Sequence, residues 1–147
     1  MSTDATDLGP VLRFMQALWA LEHGLNQRSK AMLREHGVTG PQRLVLLVTA
    51  KTGPIAPGRL AQVLRVHPAS VTRLARTLER RGLLRRRPHP TDGRQVLLEL
   101  APRGRKVARS RGGTVESAVR ATMDQASRAD LLATERLVRA LAKRLSA

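Results

Sequence analysis

The sequence predicts a mainly α-helical, α+β fold in which one β-hairpin follows four helices. Apolar residues recur at three- and four-residue spacing through most of the chain, which is the period of an amphipathic helix. After Gly82 the spacing of apolar residues changes to two, which is typical of strands. Two short helices directly precede the hairpin, and this order indicates a winged helix-turn-helix lobe. The first and last helices are then expected to form a dimerisation stem.

Glycine and proline mark the ends of the first four helices. The first helix is expected to run from Leu8 to about Leu33, and Gly40-Pro41 separates it from a second helix that ends near Thr52. A short third helix covers 57–64. Pro68 begins a fourth helix, because proline suits the first helical turn, and Gly82 ends it.

The second half of the chain contains the hairpin and two further helices. The hairpin turns at residues 89–93, and a fifth helix begins at Pro102 and continues to about Met123. Gly112-Gly113 interrupts this helix and is either a hinge or a tolerated bend, of which the bend is favoured. Ser127 precedes a last helix as its N-cap. Apolar steps of three and four along this helix form a coiled-coil-like seam: Leu131, Thr134, Val138, Leu141 and Leu145.

We predict one domain, because 147 residues are too few for two independent cores and a linker. The domain extends over 8–143, with the helix-turn-helix at 57–82 and the wing at 83–100. The dimerisation helices are predicted at 8–36 and 102–146.

Positive charge is concentrated in the middle of the chain. The net charge is +16, and residues 41–110 contain sixteen Lys and Arg against three Asp and Glu. Such a concentration of positive charge favours a polyanion as the binding partner, because each neutralised phosphate releases counterions. The alternative is a solvated basic surface, since arginine greatly outnumbers lysine. A membrane partner is not expected, because the basic helices lack the aromatic apolar faces of interfacial anchors.

Other classes of protein lack the residues that they need. The longest apolar stretch, Leu44–Val48, is too short to span a membrane, and residues 1–10 carry acids and no basic leader region, so we expect a cytoplasmic protein. The absence of cysteine excludes thiol chemistry. The four histidines do not have metal-ligand spacing, so no metal or other cofactor is expected. No phosphate loop or nucleophile elbow is present, which argues against an enzyme.

The fourth helix has the pattern of a DNA-reading helix. At 100° per residue, Val71, Leu74, Ala75 and Leu78 share one sector, and a small and basic row lies opposite, consisting of Ala69, Arg73, Arg76 and Arg80. Arg73 is the candidate for reading bases, because its planar fork pairs with guanine O6 and N7. Arg76 and Arg80 lie further from the helix start and are expected to contact phosphates. The alternative is a solvated helix face.

The wing adds a second candidate contact. Its tip carries Asp92, Gly93 and Arg94, and an arginine on a narrow loop fits the negative potential of the minor groove. An ordinary turn with a local ion pair between Asp92 and Arg94 is the alternative, and both interpretations can hold together. The full set of predicted DNA-binding residues is Ala69, Ser70, Thr72, Arg73, Arg76, Thr77, Arg80, Arg86, His89, Asp92 and Arg94.

Several fragments in this order resemble the MarR family. They are Val38 to Pro41, Leu60-Ala61-Gln62-Val63-Leu64, Val71-Thr72-Arg73-Leu74, Leu78-Glu79-Arg80-Arg81-Gly82-Leu83 and Asp92-Gly93-Arg94. The resemblance covers about residues 8 to 143. It implies a homodimeric repressor that grips a palindromic operator in double-stranded DNA and is released by a small aromatic or anionic effector. It also implies that Arg73 reads bases and that Asp92 and Arg94 form the wing motif.

The sequence departs from the family pattern at the start of the fourth helix. His67-Pro68 replaces the usual serine or threonine, and we expect a weaker N-cap there. An effector cleft has candidates in Met15, Trp19, His23 and Arg43, although Met and Trp at helical spacing are more often core. The alternative function is that of a sequence-independent, basic architectural nucleic-acid-binding protein, which would contact phosphates alone.

Overall fold

The computed structural model of the protein describes residues 7–147. Most of the segment 1–10, whose acids and lack of basic residues led us to expect a cytoplasmic protein, lies outside the described residues. The elements in chain order are α1 Gly9–His36, α2 Gly40–Thr52, α3 Pro57–Leu64, α4 Pro68–Arg80, β1 Leu84–Pro88, β2 Val96–Leu100, α5 Pro102–Arg109, α6 Val115–Met123 and α7 Arg128–Leu145. This order confirms the predicted mainly helical fold with one antiparallel hairpin.

The hydrophobic core lies in the lobe, defined here as residues 38–109. Side chains from α2, α3, α4 and the hairpin meet there, and Leu46, Leu60, Leu78 and Leu98 are completely buried. Each such leucine contributes about 1.5 to 3 kcal/mol by leaving water. This packing holds α3 and α4 against the base of the wing.

The sheet has one feature that the sequence did not indicate. Ile55, between α2 and α3, forms a bridge to Leu98 through two backbone hydrogen bonds, with N···O distances of 2.9 and 2.8 Å. A single bridging residue has no alternating pattern to detect, so only the folded chain identifies it. The bridge ties the start of the helix-turn-helix to strand β2.

The region predicted as one bent helix from Pro102 to Met123 is instead two helices. Helix α5 ends at Arg109, Ser110 has extended backbone, and Gly113 has a φ of +70°. Thr114 then begins α6 with a capping box, because its hydroxyl accepts the Ser117 N–H at 3.1 Å. A positive φ interrupts the helical hydrogen bonds, and the cap makes a new start favourable, so the prediction of a continuous helix was wrong.

Gly104 allows α5 to approach the wing closely. A Cβ atom on this residue would lie 2.0 Å from the backbone oxygen of Leu83. Only glycine fits at this distance, which explains a residue that otherwise weakens a helix. The contact fixes α5 against the start of β1.

Helices α1, α6 and α7, here called the stem helices, leave much apolar surface exposed. Trp19 is 77% exposed, Val11 is 70% exposed and Leu145 is 76% exposed. Neither α6 nor α7 contains a buried residue in the single chain. Ser127 caps α7 as predicted and accepts the Asp130 N–H at 3.1 Å. None of the helices in residues 7–147 combines the length and the hydrophobicity that a membrane span requires.

Candidate nucleic-acid interface

Helix α4 presents one face to the core and the opposite face to solvent. Val71, Ala75 and Leu78 are buried, as the predicted stripe requires, while Leu74 is half-buried at its edge. The four residues of the predicted outward row, Ala69, Arg73, Arg76 and Arg80, are all exposed. The helix is therefore anchored by its apolar side and displays a basic side.

The arginines of the outward row differ in their surroundings. Within the described residues, Arg73 and Arg76 have no carboxylate within ion-pair distance and no side-chain hydrogen bond, whereas Arg80 donates to the Thr77 hydroxyl at 3.4 Å. The half-buried Thr72 and Thr77 donate to backbone oxygens one turn earlier, at 3.1 and 3.2 Å. Ser70 is also half-buried. The guanidinium groups of Arg73 and Arg76 therefore remain available to a ligand.

The start of α4 is capped, contrary to the expectation of a weak cap. The Nδ1 atom of His67 accepts the backbone N–H of Ala69 at 3.1 Å. Pro68 follows at the first position, where no backbone N–H is needed. The imidazole replaces the oxygen of a serine or threonine, because its unprotonated ring nitrogen is an acceptor of similar reach.

Three arginines in β1 are divided between two carboxylates. Arg85 and Arg87 donate to Glu99 on β2 at 2.8 and 3.3 Å, across the register that pairs Arg85 with Glu99. The hydrogen bond from Arg85, supported by Arg87, lowers the pKa of the Glu99 carboxyl below its ordinary value. Arg86, a predicted DNA-binding residue, forms an ion pair with Glu79 of α4. Arg86 therefore connects the wing to α4, and sequence reasoning missed both glutamates.

The wing tip is organised by side chains that bond to the backbone. The Nδ1 atom of His89 accepts the N–H groups of Thr91 and Asp92 at 3.2 and 3.1 Å. Asp92 in turn accepts the backbone N–H of Arg94 at 3.1 Å. The anticipated side-chain ion pair between Asp92 and Arg94 does not occur within the described residues, because the carboxylate is used for the turn. The exposed Arg94 side chain is left without an acidic partner there.

The four candidates for an effector cleft do not come together in the single chain. Met15, Trp19 and His23 lie along one exposed face of α1. Arg43 is buried elsewhere, where it bonds to the end of α5 and to Glu116 of α6. The sequence does not indicate that α2 turns this side chain into the junction between α5 and α6.

Comparisons with known proteins agree with this architecture. The model of the MarR family matches residues 36–95. An HTH-type transcriptional regulator of Mycobacterium tuberculosis is 39% identical over 69 residues, which are 47% of this chain and 48% of that protein. The chain thus spans about half the length of this curated relative.

Solved structures extend the likeness of the fold beyond the lobe. A DNA complex of MepR from S. aureus has a TM-score of 0.67 at 21% identity and covers 90% of this chain and 96% of that chain. PcaV from Streptomyces coelicolor, in complex with its natural ligand, has a TM-score of 0.64 at 22% identity and covers 84% and 89%. The winged helix-turn-helix fold with its stem helices is thus shared across most of the chain. Residues 36–95 thus match the MarR family, and outside this lobe the likeness is one of fold.

Proposed function

We propose that the chain is a transcriptional regulator that binds double-stranded DNA in a sequence-specific manner, as a homodimer on a palindromic operator. The observation that carries this proposal is the exposed row on α4, in which Arg73 and Arg76 have no acidic partner within the described residues. Arginines on β1 are by contrast paired with Glu79 and Glu99. Unpaired guanidinium groups are suited to base edges and phosphates.

The wing tip supplies the second contact in this proposal. Arg94 lies on a turn that His89 and Asp92 hold in shape, so its side chain is presented from an ordered backbone. An arginine held in this way suits the narrow, negative minor groove. We propose that α4 enters the major groove while the wing contacts the adjacent minor groove.

The exposed apolar surface of the stem helices supports a homodimer. Apolar side chains of α1 and α7 lie in water in the single chain, and α7 buries none of its residues. A second copy would cover both faces by the same contacts, as two-fold symmetry requires. Such a dimer presents two recognition helices, and two helices read an inverted repeat.

We further propose that the regulator acts as a repressor in the cytoplasm and that a small aromatic or anionic effector releases it. The family resemblance supports repression, and PcaV with its natural ligand is a structural neighbour. Met15, Trp19 and His23 on α1 are the proposed effector contacts. A reporter gene placed behind the selected operator tests the sign of regulation. Its expression should rise when the gene that encodes this chain is deleted.

Selection of bound fragments from a pool of random duplex DNA tests the proposed function. We expect one enriched inverted repeat, whose half-sites lie about one helical turn apart, and light scattering should give the mass of a dimer. The architectural alternative predicts no enriched sequence and equal affinity for operator and scrambled duplexes. That result would overturn sequence-specific regulation and favour a protein that binds only the phosphate backbone.

A further inference from the structure

Arg43 connects three elements at the junction between the lobe and the stem helices. Its side chain extends from α2, and the residue is only 2% exposed. One guanidinium nitrogen, Nη1, donates to the backbone oxygen of Val107 at 2.8 Å. The other, Nη2, donates to Ser110 O at 2.5 Å, to Ala108 O at 3.4 Å and to the Glu116 carboxylate at 3.0 Å.

These contacts occur at the C-terminal end of α5, where the Val107 oxygen also accepts the backbone N–H of Ser110 at 3.2 Å. The last carbonyl groups of a helix lack intrahelical donors, and a cation is favoured beside them. Arg43 donates to two of these carbonyls, those of Val107 and Ala108, and at the same time holds the Glu116 carboxylate in the first turn of α6. One side chain therefore spans the interruption that separates α5 from α6.

Residues in the C-terminal third of α1 also bond to the segment between α5 and α6. The His36 ring lies 2.8 Å from Gly112 O through Nε2 and 3.0 Å from the Ser110 hydroxyl through Nδ1. Arg28 approaches the Gly113 oxygen at 3.5 Å. The residues between α5 and α6 are thus bonded to both α1 and α2, although two glycines in sequence suggest freedom of movement.

We infer that Arg43 and Glu116 lock the angle between the lobe and the stem helices and thereby determine the half-site spacing that the dimer accepts. The inference rests on the proposed function, because spacing has meaning only for a dimer on an inverted repeat. Arg43 is a positioning residue in this role, since it is buried away from the α4 surface. One added base pair rotates a half-site by about 34° and moves it about 3.4 Å, so a rigid dimer must discriminate against it.

The test measures affinity for operators that differ only in spacing. Wild-type protein and the Glu116→Gln variant are titrated against the selected operator and against duplexes with one base pair added or removed at the centre. We expect the wild type to lose about tenfold or more in affinity for the altered spacings, and the variant to lose about threefold or less. Arg120→Gln is the matched control, because Arg120 is the exposed second partner of the same carboxylate, at 2.9 Å. This control should keep the wild-type spacing preference.

A measurement without DNA complements the titration. The chain has no cysteine, so Lys51→Cys provides one labelling site on an exposed residue at the end of α2. Spin labels on the two lobes of a dimer should give a narrow distance distribution in the wild type and a broader one with Glu116→Gln or Arg43→Lys. If Arg43→Lys does not fold, the Glu116→Gln comparison decides alone.

Two results would count against the inference, and they differ. If Glu116→Gln keeps both the wild-type spacing preference and the narrow distance distribution, the lock is wrong while the proposed function stands. If the wild-type chain selects no inverted repeat, the proposed function fails and takes the inference with it.

Discussion

Replacing Arg73 with alanine separates base reading from general attraction to DNA. The Arg73 side chain is exposed, and it forms no ion pair or hydrogen bond within the described residues. Its removal should therefore leave the free energy of unfolding within about 0.5 kcal/mol of the wild type. Any loss of binding can then be attributed to the DNA contact rather than to misfolding.

The expected loss follows from the geometry of two half-sites. A bidentate arginine–guanine contact is worth about 1 to 3 kcal/mol, so a dimer that loses two contacts should bind its operator about 30-fold to 20,000-fold more weakly. On scrambled duplex DNA, where Arg73 has at most phosphate contacts, the loss should be much smaller. Fluorescence anisotropy on both duplexes gives the ratio, and selection with the variant should show relaxed preference at one symmetric pair of positions.

Salt titration provides the comparison with phosphate contacts. Arg76→Ala and Arg94→Ala should each lower the dependence of log affinity on log salt by about one unit per lost phosphate contact. Arg94→Ala should leave the major-groove consensus unchanged, because the wing contacts the minor groove. Equal losses for Arg73→Ala on operator and scrambled DNA, with a reduced salt slope, would refute base reading and leave a phosphate clamp.

Four further changes test the assembly, the cap, the packing and the junction. Leu141→Asp places a charge in the proposed dimer seam, so light scattering should show a monomer and operator binding should be lost. His67→Ala should cost about 1 kcal/mol of stability in denaturant unfolding, whereas His67→Asn should keep the cap. Gly104→Ala should cost about 3 kcal/mol or more of stability and lower the melting temperature, because its Cβ would lie 2.0 Å from the backbone oxygen of Leu83. Gly24→Ala is the control and should not destabilise the protein, because its Cβ would have no atom within 4 Å. The hydrogen bond from the Arg43 guanidinium lowers the pKa of the Glu116 carboxyl below its ordinary value of 4.5. The difference in stability between wild type and Glu116→Gln should therefore be present above pH 4.5 and shrink as the pH falls further. A difference that does not change with pH would contradict the ion pair.

The helices and the wing were predictable because their signals are local. In α4, the period of 3.6 residues alone places Val71 and Leu78 inward and Arg73 outward, and the structure agrees. The alternation of apolar residues in β2 likewise buries Leu98 and Leu100. Such patterns depend on the geometry of one element, so no knowledge of its neighbours is needed.

Partners of the charged residues were not predictable in this way. Which arginine of β1 meets Glu99 depends on the hairpin register, and that register depends on the conformation of the tip. The bond between Arg86 and Glu79 further requires the angle at which α4 packs against the wing. Sequence reasoning therefore found the basic surface and did not find which arginines are already paired.

The sequence by itself determined the order of elements as far as α5, the resemblance of the lobe to the MarR family and the basic face of α4, because each is encoded in residue spacing. Only the tertiary structure decided that two helices replace one near Gly113 and that Arg43 reaches the junction between α5 and α6. The contacts of Arg43 join residues more than sixty positions apart in the chain, which meet only after folding. A buried guanidinium is stable only where carbonyls and a carboxylate surround it, and the folded chain brings those groups together.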